Sequence, residues 1–399
     1  MEAEERRLFV CDPACVQEIG HNVHALRYFK EAFENKFHCV IPICCEVLPE
    51  QVAQREGFQR LYRFYYSAYF SNVEAKSEQD RESDGNSFLL SDFQEQVATE
   101  DAKKIFQRYQ ITSSDVILFP HLDFYGVIGL LNALDGMPPK QRPTVFLRFI
   151  GVMENATPQY FSPVNELLFR IIVSAQRGTR FRVSAETPRY ADAVAHVLQM
   201  PVAVTGYPLE PQLAPLPNDG PFFFYCPGSA RADKGFFELR EIFQEVRRRD
   251  PECNIRFITQ NLPHREAKHH LNYIAQLYAI PGVSIQDGSV SAEEMKRTYQ
   301  MTHAVILPYA TDIYEYRGSA VLMEAAAYGR PAITYDGTGL AEVVRYFNLG
   351  SVVGARTDMV YAAIDLARRS RNDIEISARQ AAFRFHTDNL RSYDAWFDI

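Results

Sequence analysis

Short, largely apolar runs alternate with segments of helical apolar spacing along almost the whole chain. In the first half the strand-like runs are 8–11, 38–45, 116–119, 144–150, 181–184 and 202–204. Between them, segments such as 22–35, with Val23, Leu26, Phe29 and Phe33 at helical spacing, predict helices, as do 100–110, 124–134, 164–176 and 187–198. A strand with one solvated face alternates apolar and polar residues. These runs do not alternate, so the sheet they build is parallel and covered on both faces.

The alternation stops at 208–220, PLEPQLAPLPNDG, a proline-rich polar linker, and then restarts. Runs at 222–226, 255–259, 283–285, 304–307 and 332–335 predict a second set of strands. Helical segments at 235–249, 265–277, 291–300, 319–328, 340–347, 357–370, 373–384 and 387–398 accompany them. The expectation is an α/β protein of two doubly wound, Rossmann-like domains facing a central cleft, residues 1–207 and 208–385. The last helix, about 386–399 with the only tryptophan, Trp396, is expected to pack back on the first domain. Ligands in such sheets bind beyond the carboxyl ends of the strands, but architecture alone does not choose the reaction.

With 47% hydrophobic residues, the 399-residue chain can fill two cores. Its net charge of −8 argues against a nucleic-acid partner, which needs a cationic footprint. The seven cysteines are odd in number and lie mostly in apolar runs, which reads as buried thiols in a reducing compartment. Neither a signal-like apolar region near the N-terminus nor a membrane-length apolar run occurs, so a cytoplasmic protein is expected. Residues 57–70, GFQRLYRFYYSAYF, mix aromatic and basic residues. They suit a buried aromatic helix, and they also allow peripheral contact at the inner face of a membrane. The polar stretch 71–97 reads as an exposed excursion.

Two stretches carry chemistry. Gly228-Ser-Ala-Arg231-Ala-Asp-Lys234-Gly235-Phe follows the first strand of the second half. Small residues let a ligand approach the backbone, two cations lie close by, and a helix start adds its positive end. The loop fits a diphosphate, and it also fits a strand-to-helix turn with solvated charges. It is neither a Walker loop nor a G-x-G-x-x-G fingerprint.

The second stretch runs from Leu307-Pro308-Tyr309 through Tyr314-Glu315-Tyr316-Arg317-Gly318-Ser319 to Glu324 and Gly329-Arg330-Pro331. Gly318 and Ser319 open a helix whose first amides would face an anion. Glu324, about one and a half turns on, can accept bonds from vicinal hydroxyls such as those of a ribose. It could alternatively be a solvated helix acid, although its neighbours are small and apolar.

Together these motifs, with Gly-Thr-Gly-Leu-Ala-Glu-Val-Val at 337–344, resemble the donor half of the retaining GT-B glycosyltransferases, especially glycosyltransferase family 4, over roughly residues 222–347. The resemblance implies a nucleotide-sugar donor as co-substrate, with no other cofactor. It implies transfer to a saccharide or lipid-linked saccharide acceptor, as in bacterial surface-polysaccharide or glycolipid synthesis. Arg231 and Lys234 would then hold the diphosphate, Gly228, Gly318 and Ser319 would bring backbone to it, and Glu324 would hold the ribose. Glu342 would lie on the nucleotide side, and Gly20 would be the glycine near the donor in the first domain.

The chain departs from the family at three places. Tyr316 stands eight residues before Glu324 in place of the first acid, so Glu315, one position earlier, becomes the candidate sugar-contacting acid, with Arg317 as a candidate phosphate contact. Ser229 stands where the family has an arginine. Phe149 stands where it often has a histidine, leaving His121 and His21 as first-domain candidates. The spacing of His and Asp suggests no metal site, so metal-independent transfer is expected. A catalytically silent sugar-nucleotide-binding partner and a GT-B nucleotide-sugar epimerase are the alternatives.

Overall fold

The computed structural model describes residues 6–18, 21–63, 65, 86–150, 163–207, 209–252, 254–262 and 268–398. The chain divides into two compact units. The first comprises Met1–Glu186, Tyr190–Pro208 and Trp396–Ile399, and the second comprises Thr187–Arg189 and Leu209–Ala395.

The first unit is built on strands β1 (Arg7–Asp12), β2 (Cys39–Cys45), β3 (Gln59–Tyr62), β4 (Val116–Phe119), β5 (Thr144–Phe149), β6 (Arg180–Ala185) and β7 (Val202–Val204). They form one sheet in the order β3-β2-β1-β4-β5-β6-β7, with every pairing parallel. Its helices are α1 (His21–Phe33), α2 (Glu50–Glu56), α3 (Asn86–Tyr109), α4 (Phe124–Asp135), α5 (Pro163–Gln176) and α6 (Pro188–Leu198). β4 and β5 are buried at every position, as strands covered on both faces must be. α3 and α4 approach so closely that a Cβ on Gly129 would lie 2.4 Å from the Ala98 carbonyl carbon.

The second unit holds β8 (Phe222–Cys226), β9 (Ile255–Asn261), β10 (Val283–Asp287), β11 (Ala304–Leu307), β12 (Ala332–Tyr335) and β13 (Gly350–Val353). Their order is β10-β9-β8-β11-β12-β13, again all parallel. Helices α7 (Leu239–Arg249), α8 (Lys268–Tyr278), α9 (Ala292–Met301), α10 (Ala320–Ala327), α11 (Gly339–Phe347), α12 (Arg356–Arg368) and α13 (Arg371–Phe397) follow. In α7, Leu239, Ile242, Phe243 and Val246 are buried at i, i+3, i+4 and i+7, and Arg247–Arg249 complement the helix C-terminus. In each unit the strand order reverses direction beside the first strand, at β1/β4 and at β8/β11. This is the switch point at which ligands bind in doubly wound sheets.

Several elements differ from the sequence expectation. Gln59–Tyr62 is a strand pairing with β2, so the start of the aromatic-basic segment is not a helix, while residues 66–85 lie outside the described residues. Residues 86–97, expected as loop, belong to α3. Polarity there reported exposure, whereas Val97, Ala98, Ala102 and Ile105 form a buried stripe. The two helices expected at 373–384 and 387–398 are one, since neither glycine nor proline interrupts 371–397. The buried residues Ile374, Ala378, Ala381, Ala382 and Phe385 keep one face of it continuous. At its end Phe397 stacks on Phe146 in the first unit, with centroids 4.7 Å apart, and lies 4.3 Å from Phe33. β3 and β13 were missed because each is four residues long and only partly buried.

Candidate functional site

The switch point of the second unit brings together the loops after β8 and β11. The β8 loop is shaped by glycine. Gly228 has φ 105°, and a Cβ there would lie 2.9 Å from Lys234 Nζ. Gly235 has φ 67°, and a Cβ on it would be 2.0 Å from the Pro308 carbonyl oxygen. Gly235 therefore requires glycine twice over, for the left-handed backbone and for the close approach of Pro308, whereas at Gly228 the left-handed backbone is the constraint, since the end of the Lys234 side chain can shift. The helix expected to begin near Gly235 opens instead with two short 3-10 turns, Ala232–Lys234 and Phe236–Glu238, before α7. Gly235 reverses the chain between them because the β11 loop crosses directly above it, where Ala310 N donates to Asp233 O at 2.9 Å.

The cations on this loop are held differently. Arg231 donates through Nε to Asp233 Oδ1 at 2.8 Å, with a second bond from Nη2 to Oδ2 and a longer one to Tyr314 Oη at 3.4 Å. Burial pushes the Asp233 carboxyl up, but the hydrogen bonds and charge of Arg231 more than offset it and hold it below the usual range. Lys234 has no hydrogen bond or ion pair of its ammonium among the described residues. Its Nζ lies 5.8 Å from the centroid of the Tyr309 ring. Burial pulls its pKa down, Arg231 adds to that, and Asp233 and Glu324 oppose it. A half-buried ammonium without a partner is costly unless something anionic completes it.

Glu324, in the middle of α10, is the opposite charge nearby. Its Oε2 accepts from Tyr299 Oη at 3.3 Å, and its Oε1 accepts no hydrogen bond among the described residues. Burial raises this carboxyl to about 7, against the smaller opposing effects of the Tyr299 bond and the Lys234 charge. Tyr299 itself is fully buried, stacked on Tyr328 at 4.7 Å and edge-on to Tyr225 at 5.4 Å. The Tyr225 hydroxyl is buried with no hydrogen-bond partner among the described residues. Ser319 caps α10, its Oγ accepting from Leu322 N at 3.3 Å, and Gly318 beside it is buried. Arg231, Lys234, Gly228, Ser319 and Glu324 thus gather about the β8 and β11 strand ends.

The remaining candidates fall elsewhere. In the β11–α10 loop Tyr314 is buried, Glu315 is exposed, and Arg317 is half-buried. Glu342, in the first turn of α11, is taken up by Arg189, whose Nε and backbone N donate to its two oxygens at 3.0 and 3.3 Å. In the first unit His121 is buried, with Nδ1 2.9 Å from Asp12 Oδ2, at the carboxyl edge of β1 and β4. Gly20 lies outside the described residues, as does the His21 side chain. Phe149 is wholly buried, edge-on to Tyr190.

Tyr299, Tyr225 and Asp233 were not singled out from the sequence. Asp233 was legible as the acid between two cations. Tyr299 and Tyr225 come from an adjacent helix and strand, and no local spacing ties them to Glu324. Among the described residues no group of three or more His, Cys, Asp or Glu could hold a metal, and no helix is long and apolar enough to cross a membrane.

Two Rossmann-like parallel sheets with these strand orders give an α/β fold of the GT-B type. Residues 213–379 match the family model for glycosyl transferases group 1. Among solved structures, the chain is similar to the one described as trehalose-6-phosphate from E. coli bound with UDP-2-fluoro glucose. There the TM-score is 0.65 at 11% identity, covering 98% of this chain and 97% of that one. It is also similar to the lipopolysaccharide outer core galactosyltransferase WaaB, with TM-score 0.61, 13% identity and coverage of 97% and 99%. TarM gives 0.56 at 12% identity, over 75% of this chain and 58% of its own length. Comparison with curated protein sequences gave no match.

Proposed function

We propose that this protein is a glycosyltransferase that binds a nucleotide-sugar donor at the carboxyl edge of the second sheet. It transfers the sugar to a hydroxyl of a saccharide or lipid-linked saccharide acceptor. The observation that carries this reading is the proximity, at the β8/β11 switch point, of Lys234, a half-buried ammonium with no hydrogen bond or ion pair among the described residues, and Glu324, whose Oε1 accepts no hydrogen bond among them. A diphosphate would complete the first and vicinal ribose hydroxyls the second. The group 1 glycosyltransferase match over these residues, and the UDP-2-fluoro glucose held by the E. coli neighbour, support it.

In this scheme the C–O bond between the anomeric carbon and the diphosphate breaks, and negative charge develops on the leaving oxygen. Lys234, with Arg231 and the amides at Gly318 and Ser319, stabilises that charge by electrostatic preorganisation. Two cations and a helix start make a metal ion unnecessary. Retention of configuration follows if the departing phosphate takes the acceptor proton on the face it leaves. Glu342 is already engaged by Arg189, which leaves Glu324 as the stronger nucleoside ligand.

The test is a thermal-shift and calorimetric panel of nucleoside diphosphates and nucleotide sugars against the parent chain and Glu324→Gln. One nucleotide series should raise the midpoint of the parent by mass action, and Glu324→Gln should weaken that binding while keeping the fold. Equal affinity in both proteins would remove Glu324 from the site. A second reading, a sugar-nucleotide-binding partner without turnover, draws on the exposure of Glu315, the carboxyl nearest the family's first-acid position. Binding without transfer or donor hydrolysis would favour it.

A further inference from the structure

We propose that the first unit carries a second anion site, specific for phosphate groups, at the amino edge of its sheet. The site is formed by Arg6, Lys140 and Arg180. β1, β4, β5 and β6 are consecutive neighbours in the sheet, and the residues leading into them meet at this edge. There they surround a pocket of about 570 Å³, into which Ser113, Ser114 and Thr144 also face. Its lining carries three cations and no acid, in a chain whose net charge is −8.

The same edge supplies its own control. Arg7 is neutralised by Asp115 through bonds of 2.8 and 2.7 Å, Arg177 by Asp135 at 2.9 Å, and Arg142 approaches Asp135 at 3.7 Å. Arg6, Lys140 and Arg180, by contrast, have no carboxylate partner among the described residues. Arg6 lies over the Phe37 ring at 5.9 Å, and Arg180 spends one bond on the Ser113 carbonyl at 2.9 Å. Asp115 and Asp135, the carboxylates the described residues place at this edge, are engaged by the first three arginines. The remaining three share a concave volume with no carboxylate among its lining residues.

Guanidinium forks and an ammonium, with hydroxyls between them, match the oxygens of a phosphate. The volume exceeds what one phosphate fills and lies in the range of small-ligand pockets. The ligand is a phosphorylated small molecule or the phosphate of an anionic lipid headgroup. The site is at the opposite end of the strands from Asp12 and His121, and it stands whether or not the second unit binds a nucleotide sugar.

The experiment titrates inorganic pyrophosphate into the parent chain, Lys234→Ala, Lys140→Ala and Arg180→Gln by calorimetry. In parallel, it measures co-sedimentation with phosphatidylcholine vesicles with and without phosphatidylglycerol. Lys140 is exposed and makes no contact that folding needs, so Lys140→Glu serves as a second variant whose thermal midpoint should match the parent. Saturable pyrophosphate binding should persist in Lys234→Ala and weaken about tenfold or more in Lys140→Ala and Arg180→Gln, the scale of one lost charge-assisted contact. Capture only by phosphatidylglycerol vesicles, lost in the same two variants, would assign the headgroup as the source. The proposal is overturned if neither probe distinguishes Lys140→Ala and Arg180→Gln from the parent.

Discussion

The carboxyl edges of the two sheets handle buried charge in opposite ways. In the first unit Asp12 is completely enclosed and fully used. Its Oδ1 accepts from Ala14 N at 3.0 Å, and its Oδ2 accepts from Asn22 Nδ2 at 3.0 Å and faces His121 Nδ1 at 2.9 Å. Arg148, also without any exposed surface, donates to Gly206 O at 2.8 Å, to Thr205 Oγ1 and O at 3.2 and 3.3 Å, and to Pro120 O at 3.4 Å. In the second unit the comparable position holds, among the described residues, Lys234 with no hydrogen bond or ion pair and Glu324 with one hydrogen bond. A closed network serves the fold, because each group's desolvation is repaid within the protein. An open one leaves part of that compensation to a ligand. The difference therefore predicts where a substitution should cost stability and where it should cost binding.

The largest effect is expected at the closed edge. Arg148→Met would remove four donors at once and leave three buried carbonyls without their partner. At about 1 kcal/mol or more for each unsatisfied group, the chain should lose about 3 kcal/mol or more. For a cooperative unit of the size of the first, about 200 residues, that is a midpoint lowered by about 6 °C or more. Thermal denaturation of parent and variant measures it. An unchanged midpoint would mean that the first edge is no more consolidated than the second, and the contrast would collapse.

Lys234→Ala should show the reverse pattern. Its ammonium is already disfavoured by burial, so its removal should leave the unfolding free energy within about 1 kcal/mol of the parent or raise it. Nucleoside-diphosphate affinity should fall by about 1.5–3 kcal/mol, the range for a charge-assisted hydrogen bond. Loss of stability with unchanged affinity would place Lys234 in the fold rather than in the site.

Glu324 sharpens the same point through pH. Its carboxyl is raised to about 7 from an ordinary 4.5, chiefly by burial. Between those values the folded chain holds a proton that the unfolded chain has released. Stability from this group is therefore greatest at the acid end, falls as pH rises through the window, and stays reduced above it. The groups facing it are Lys234, Tyr299, Tyr225, Tyr309 and Tyr328, and its charge in turn pushes each of the four phenols upward. Glu324→Gln removes the titration. Its midpoint relative to the parent should rise between pH 4.5 and 7.5, even as nucleotide binding is weakened. A pH-independent difference would show that Glu324 is as well solvated as a surface acid.

The contrast between the edges was only half visible in the sequence. Arg231, Lys234, Ser319 and Glu324 lie in two short motifs whose spacing is local, so a strand end and a helix start were enough to bring them together. Asp12, His121 and Arg148 come from β1, from the turn after β4 and from β5. Nothing in the sequence near any of them reports the sheet order that joins them. Arg148 stands beside Phe149 in the sequence with no motif around it, and only its enclosure by Thr205 and Gly206 gives it a role. The alternation of apolar runs carried the doubly wound class. The short edge strands β3 and β13, half-buried and four residues long, had too little pattern to be seen.

The smallest effect is expected at Glu315, where the two kinds of cost should separate completely. The side chain is exposed and makes no ion pair among the described residues, while Tyr314 before it is buried and supplies the packing of the loop. Glu315→Gln should therefore change stability by no more than about 0.5 kcal/mol, the usual scale for a surface substitution. Nucleoside-diphosphate affinity should stay the same, since Lys234 and Glu324 account for that part of the ligand. If Glu315 serves the sugar, the variant should lose turnover of the complete nucleotide sugar while binding the diphosphate normally, with kcat falling and the nucleotide Kd unmoved. If turnover is also unchanged, the sugar-contacting acid is absent from this loop, and sugar recognition must come from residues other than the second-unit motif.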